Sequence, residues 1–302
     1  LELAPAGPGG EIDMKRLLAL ALLVLAGGWF AFTFVPRANA VAPADSGRRF
    51  DRIVSIVLEN TDYETSMKLP YFQKLVARGA LLSNFNGVNH PSYPNYLAMI
   101  AGTDFGVHDD NQREFNALTL ADLLERKGLT WKAYAENYPG HCYLSDTSGH
   151  YARRHVPFLS FTSIQGDPAR CARVVAGTQF VADLDANALP TFSIYVPDVD
   201  DDGHDTGAIY ADHWLESFLE PILNNRALMK GTLLEVTYDE SATASMNHIA
   251  TLLIGPAIRA GTVDAGAYTH YNILRTIEEN FGLGTLGAND LKAAPISAIW
   301  VN

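Results

Sequence analysis

The stretch RIVSIVLEN, Arg52 to Asn60, decides how the rest of the chain is read. Its apolar part is short and rich in β-branched residues, as in a strand buried on both faces, and it ends in an acid and an amide. Two later stretches share this format: TFSIYVPD (Thr191–Asp198) and TLLEVTYDE (Thr232–Glu240). LLSNF (Leu81–Phe85), LTWKAYAE (Leu129–Glu136) and IATLLIGP (Ile249–Pro256) read as further strands. Helical periodicity separates them in PYFQKLVARGA (Pro70–Ala80), ALTLADLLERKG (Ala117–Gly128), AIYADHWLESFLEPIL (Ala208–Leu223) and HYNILRTIEENFGL (His270–Leu283). Strands alternating with helices imply an α/β fold: a three-layer α/β/α sandwich with a mostly parallel central sheet. In such sheets ligands gather beyond the carboxyl ends of the strands.

The 302 residues are 48% hydrophobic and 19% charged, with a net charge of −12. This suits an ordinary globular protein, and with no basic stripe no nucleic-acid-binding surface is expected. Residues 1–40 differ from the rest. Met14-Lys15-Arg16 precedes an apolar run from Leu17 to Val35, and Ala38-Asn39-Ala40 has the A-x-A form of a signal cleavage site. The reading is export to the periplasm or medium with no stable membrane anchor after cleavage; the alternative is an uncleaved anchor, since the run is long enough to span a bilayer. Residues 1–40 are therefore set apart, and 41–302 are expected to form a single domain. The two cysteines, Cys142 and Cys171, read as one disulfide in an oxidising compartment, against two buried free thiols. They bracket much of a Tyr-, His- and Gly-rich segment, 137–170, expected to be an ordered excursion.

Carboxylates collect at the predicted strand ends. Glu59-Asn60 follow the first strand, DVDDDGHD (Asp198–Asp205) follows TFSIYVP, and Asp239-Glu240 follow TLLEVTY. Such groups resist joint ionisation unless a cation lies between them. Oxygen donors suit Mg²⁺, Ca²⁺ or Mn²⁺, and added histidine admits Zn²⁺ or Fe. A separate stretch, VNHPSYPNYLAMIAGT (Val88–Thr103), places Ser92 between two prolines at a helix start. A plain helix cap is the ordinary role for such a serine. A nucleophile in the positive end of the helix dipole is the other, and the nearby acids favour it.

VLENTDY (57–63), HPSYPNYLAMIAG (90–102), YVPDVDDDGHD (195–205), VTYDES (236–241), LIGPAIRAGT (253–262) and THYNILRTIEENFGL (269–283) together resemble the ordered motifs of the phosphoesterase family. That family contains bacterial phospholipases C and secreted acid phosphatases and is related to the alkaline phosphatase superfamily. The resemblance implies an alkaline phosphatase-like fold and a divalent metal held by Glu59, Asn60, Asp239 and Glu240. It implies Ser92 as nucleophile, assisted by Asn95 and by His204 as acid, with His90, His155, Asp202 and His270 around the phosphoryl group. Either Asp201 or Asp202 is the working carboxylate of the aspartate run, and His213 is given no role.

The expected function is an exported, metal-dependent phosphomonoesterase acting through a phosphoserine on a small phosphate ester. A phospholipase C-type phosphodiesterase acting on phospholipid is the second reading, and a non-catalytic envelope binding protein the third. The chain ends soon after the last shared motif, which leans toward a compact phosphatase.

Overall fold

A computed structural model describes residues 47–243 and 246–301. The signal-peptide segment and the start of the domain at residue 41 lie outside the described residues. Nine strands form one sheet: β1 (Arg52–Leu58), β2 (Ala80–Asn86), β3 (Trp131–Ala135), β4 (Val174–Ala176), β5 (Phe192–Val196), β6 (Thr232–Tyr238), β7 (His248–Ile254), β8 (Thr262–Asp264) and β9 (Tyr268–Thr269). Their order is β8-β2-β7-β6-β1-β5-β3-β4, with β9 also on β2. Only β7 opposes its neighbours; all other pairings are parallel. The mostly parallel sheet expected from the sequence is therefore present, with one reversed strand. That reversal brings the amino end of β7 to the edge where the other strands end.

The helices used below are α1 (Pro70–Arg78), α2 (Ser92–Ala101), α3 (Leu120–Arg126), α4 (Thr178–Asp185), α5 (Ala208–Asn224) and α6 (His270–Phe281). From Ile53 to Leu58 every residue of β1 is buried, so both sheet faces are covered. Successive side chains point to opposite faces, which assigns the layers. Ser55 and its sheet partners Glu235 and Ile194 share a small cavity with Met99 of α2 and His270, Ile273 and Ile277 of α6. Tyr238, paired with Leu58, meets Phe72 of α1, while Tyr195, paired with Ile56, meets Trp214 and Phe218 of α5. Helices α2 and α6 thus cover one face, and α1 and α5 the other, completing three layers. Asp212 of α5 ties the second pair together, accepting from Tyr71 and Phe72 N–H at 2.9 Å each. These are two of the unpaired donors that every helix start leaves.

The sequence placed Pro94 at the helix start, but α2 begins at Ser92, with Pro91 as its cap residue. Pro94 still falls in the first turn, where its missing N–H has no intrahelical acceptor to lose. At the other end α2 stops at Gly102, with φ +68°. A Cβ there would sit 2.5 Å from Asp290 Oδ1, so glycine is required by conformation and by space.

Segment 137–170 is an ordered excursion, as expected. It holds a small ribbon (Thr147–Ser148 with Tyr151–Ala152) and short helical turns. Cys142 and Cys171 are bonded, with Cα atoms 5.6 Å apart. Among the described residues no helix is long and apolar enough to cross a membrane.

Candidate active site

Backbone pairing at the sheet edge fixes where the acids leave their strands. Glu59 N donates to Asp202 O at 3.1 Å, Asp239 N to Leu58 O at 3.0 Å, and Thr61 N to Glu240 O at 3.2 Å. Asn60 N reaches Asp239 Oδ1 at 3.3 Å. The exits of β1 and β6 and the loop after β5 are thereby laced together. Glu59, Asp202, Asp239 and Glu240 converge there, none more than 4% exposed.

Ser92 faces this group from the first position of α2 and is 2% exposed. The cap residue Pro91 offers α2 no side-chain bond, and Ser92 makes none to its backbone. The Ser92 hydroxyl lies 2.9 Å from Glu59 Oε2 and 3.3 Å from Glu240 Oε1. Its single proton serves one of them at a time. The hydroxyl is thus committed to the carboxylates, at the end of a ten-residue helix that favours negative charge.

Histidines complete the wall. His155 is buried with Nε2 3.4 Å from Glu59 Oε1 and Nδ1 3.5 Å from Asp202 Oδ2. His90 Nδ1 is in close polar contact with Glu240 Oε2, and burial lowers the His90 pKa. His204 donates its backbone N–H to Asp202 Oδ1 at 2.8 Å and turns Nδ1 toward Asp205 at 2.7 Å. Of the aspartate run, Asp202 joins the site. Asp200 pairs with His150 at 2.7 Å, and Asp201 faces Glu136 and Tyr210.

The electrostatics follow from crowding without water. Burial, then the Asp239 and Asp202 charges, pushes Glu59 well above the usual carboxylate range. Burial also lifts Asp202 to about 8, Asp239 to about 6 and Glu240 to about 9. Four buried carboxyls cannot all ionise without a counter-charge. Asn60 Oδ1, Asp202 Oδ2, Asp239 Oδ2 and His155 Nε2 are buried there with no hydrogen-bond partner. Ligand atoms of Glu59, His155 and Asp202 lie within 4.8 Å of one another. Oxygen donors with one imidazole fit a divalent cation, so the residues present suit the expected metal. Of the expected ligands only Glu59 belongs to that three-residue cluster; its other two members, His155 and Asp202, are those the sequence assigns to the phosphoryl group.

Two assignments need correction. Asn95 does not turn its amide toward the serine. Its Oδ1 accepts from Val88 N at 2.7 Å and Asn89 N at 3.1 Å, while Nδ2 donates to Asn89 O at 2.8 Å and Pro91 O at 3.2 Å. The amide is spent on bracing the loop that delivers Ser92. His270 lies behind the acids, with Nε2 donating to Asp239 O at 2.7 Å. Burial holds it neutral, lowering its pKa to about 4, and its one hydrogen bond among the described residues supports the Asp239 backbone.

Sequence reasoning missed Tyr96. Its hydroxyl donates to Glu59 Oε1 at 2.7 Å, and its ring stacks on His155 with centroids 5.0 Å apart. Four residues past Ser92, it lies on the same helix face, and that spacing was the available signal.

The phosphoesterase family model matches residues 59–284, which contain every one of these side chains. A phosphate-repressible acid phosphatase of Penicillium chrysogenum is 37% identical, over 94% of this chain and 67% of its own length. An acid phosphatase of Aspergillus fumigatus is 36% identical over 82% of this chain and 58% of its own. The chain therefore spans about three-fifths to two-thirds of these fungal relatives. A phosphatidylinositol-3-phosphatase of Mycobacterium tuberculosis is 34% identical over 83% of each chain. Among solved structures, an alkaline phosphatase superfamily protein from Vibrio parahaemolyticus superposes with a TM-score of 0.58 at 16% identity. It covers 95% of this chain and 80% of the other, and it shows a shared fold. Matched through its sheet edge, its serine helix and its closing helix, the chain belongs to the phosphoesterase family.

Proposed function

We propose that this chain is a metal-dependent phosphomonoesterase that works through a phosphoserine on Ser92 and acts after export. Membership of the family supports the reaction class, phosphoric-ester hydrolysis. The observation that carries the finer reading is the Ser92 hydroxyl, buried at a helix start and aimed at Glu59 and Glu240.

Glu59, Asn60, Asp239 and Glu240 would hold a divalent cation, with His155 and Asp202 beside it. When bound, the cation supplies positive charge that lowers the pKa of the serine hydroxyl and offsets charge on the phosphoryl oxygens. Ser92 Oγ attacks phosphorus, forming the Oγ–P bond as the bond to the leaving oxygen breaks. Glu59 Oε2 orients the hydroxyl and takes its proton as the Oγ–P bond forms, and returns it to Oγ when the phosphoserine is cleaved. His204 delivers a proton to the leaving oxygen, since alkoxides are poor leaving groups without one. Tyr96 holds Glu59 in place, and Asn95 holds the loop before Ser92. Water then cleaves the phosphoserine.

One disulfide and the signal-like residues 1–40 support export. Residues 41–302 would then be the secreted domain, and the new amino terminus of the exported protein would locate the cleavage. The test of the chemistry is a substrate series with several metals supplied: an aryl phosphate monoester, a bis-aryl diester, phosphatidylcholine and a lipid-borne monoester such as phosphatidylinositol 3-phosphate. Preference for monoesters, with phosphate trapped on Ser92 after acid quench, is the expected result. Preference for diesters makes the chain a phospholipase C-type enzyme, and no turnover of any ester sinks the catalytic reading.

A further inference from the structure

The excursion that carries His155 places two consecutive arginines in opposite situations. Arg153 is buried and donates to the carbonyls of Leu144 and, at 2.8 Å, Leu159. Its guanidinium is spent on tying the excursion together. Arg154 is not spent in this way. Its only carboxylate contact among the described residues is a long one, Nε to Asp110 Oδ2 at 3.9 Å. Nη2 lies 3.3 Å from His204 Nε2, and Nε, like that of Arg153, is buried without a hydrogen-bond partner; unlike Arg153, Arg154 makes no bond to a carbonyl among the described residues. A guanidinium carries five donors in a rigid fork suited to phosphate and carboxylate oxygens. Most of this fork is free, and 19% of the side chain is exposed.

The neighbours of Arg154 locate it. Asp110 accepts the backbone N–H of Tyr93, the residue after Ser92, at 3.0 Å. His204 is bonded through its backbone to Asp202, and the His155 and His204 rings are 6.3 Å apart. Arg154 therefore bridges two segments that flank the serine, and it touches the histidine placed on the leaving-group side. The acids deeper in the site are matched by the proposed cation. Arg154 stands at the rim of that set as a partly exposed cation, its charge felt by Asp202 without a direct contact.

We infer that Arg154 is a specificity residue whose guanidinium binds a second phosphate carried on the leaving group of the substrate. The inference rests on the proposed phosphomonoesterase reading, and it narrows the substrates to esters of alcohols that bear another phosphate. The side chain makes no bond to the transferred phosphoryl group. Its contact with His204 Nε2 gives way when the second phosphate takes the fork, which frees that nitrogen to serve the leaving oxygen.

The test compares glucose 6-phosphate with glucose 1,6-bisphosphate on the metal-loaded enzyme and on Arg154→Ala and Arg154→Lys. Wild type should favour the bisphosphate in kcat/KM by about tenfold, the effect of one charge-assisted contact. Arg154→Ala should bring that ratio close to one, mainly through KM, and Arg154→Lys should restore part of it. Equal losses for both substrates would overturn the inference, because Arg154 would then serve the transferred phosphoryl group or the fold. An unchanged ratio would overturn it too. If wild type hydrolyses neither sugar phosphate nor an aryl phosphate, the phosphatase reading fails separately. Calorimetric binding of the bisphosphate, with and without the arginine, then decides the role of Arg154 alone.

Discussion

Helix α2 joins two groups of buried carboxyls that solve the same problem differently. At its start, Glu59, Asp202, Asp239 and Glu240 crowd around Ser92. At its end, Gly102 packs against Asp290, which accepts from Leu286 N at 2.7 Å and Ala288 N at 2.8 Å. Glu278 of α6 faces Asp290 and is fully buried; burial and the Asp290 charge push it up to about 8. The distal pair needs only one proton: two backbone amides hold Asp290, while both Glu278 oxygens are buried without a hydrogen-bond partner, which favours the protonated form. Four acids at the strand ends exceed what one proton can neutralise, and an imidazole nitrogen, His155 Nε2, is buried without a partner among them. The distal group is therefore built to close, and the proximal one to receive charge from outside.

Removing the serine should separate the two groups most sharply. Ser92→Ala should lower turnover by several orders of magnitude while the melting temperature moves by only a few degrees, because Ser92 does not cap its helix. A steady-state assay beside a thermal melt reads both quantities. Near wild-type turnover would leave activated water as the better nucleophile. Disrupting the distal group should do the reverse. Asp290→Ala removes the acceptor for two backbone amides and should destabilise the fold by about 1–3 kcal/mol, with turnover per folded molecule kept.

Chelation comes next in size. Stripping divalent ions should abolish turnover and lower the melting temperature, since the proximal acids then repel one another. Asp239→Asn should weaken metal binding in a titration followed by elemental analysis. Full activity in protein shown to be metal-free would end the metal reading, and the four acids would need another counter-charge.

Parts of this comparison were legible in the sequence and parts were not. The strands of the sheet centre could be read because β1, β5 and β6 are β-branched runs buried on both faces. Periodicity says nothing of direction, so the reversal of β7 stayed hidden. Short edge strands such as Val174–Ala176 and Thr262–Asp264 carry too few residues to show a pattern. The proximal acids stood out because each follows a strand. Spacing placed Asn95 and His270 near the site but could not show that a loop backbone and the Asp239 carbonyl already occupy them. The long-range distal pair left no sequence signal, because an acid within an amphipathic helix normally faces water.

His204→Ala should produce a smaller change, and a selective one. Turnover of alkyl phosphates should fall more than that of nitrophenyl phosphate, because nitrophenolate leaves without a proton. Equal losses for both would remove His204 from the acid role and leave it as a support for Asp202, to which its backbone is bonded.

The smallest effect tests the closed character of the distal pair through pH. The Glu278 carboxyl has a folded pKa of about 8, raised from an ordinary value of 4.5. A carboxyl raised in the folded state binds its proton more tightly there than in the unfolded chain. Its contribution is fully favourable below about pH 4.5 and is lost as pH climbs toward 8. Glutamine keeps the neutral shape and cannot ionise. Glu278→Gln should therefore melt close to wild type at pH 4 and above it at pH 8, by several degrees, the shift being worth at most about 4 kcal/mol. Arg275 Nη1, 3.6 Å from Glu278 Oε2, already tempers that rise from the solvent side. The same substitution should leave metal affinity unchanged, because the pair lies at the far end of α2 from the acids at Ser92. A variant that melts lower than wild type at pH 8 would mean that Glu278 is ionised in the folded protein and held by Arg275. The two ends of the helix would then both rely on a cation, and the contrast between them would fail.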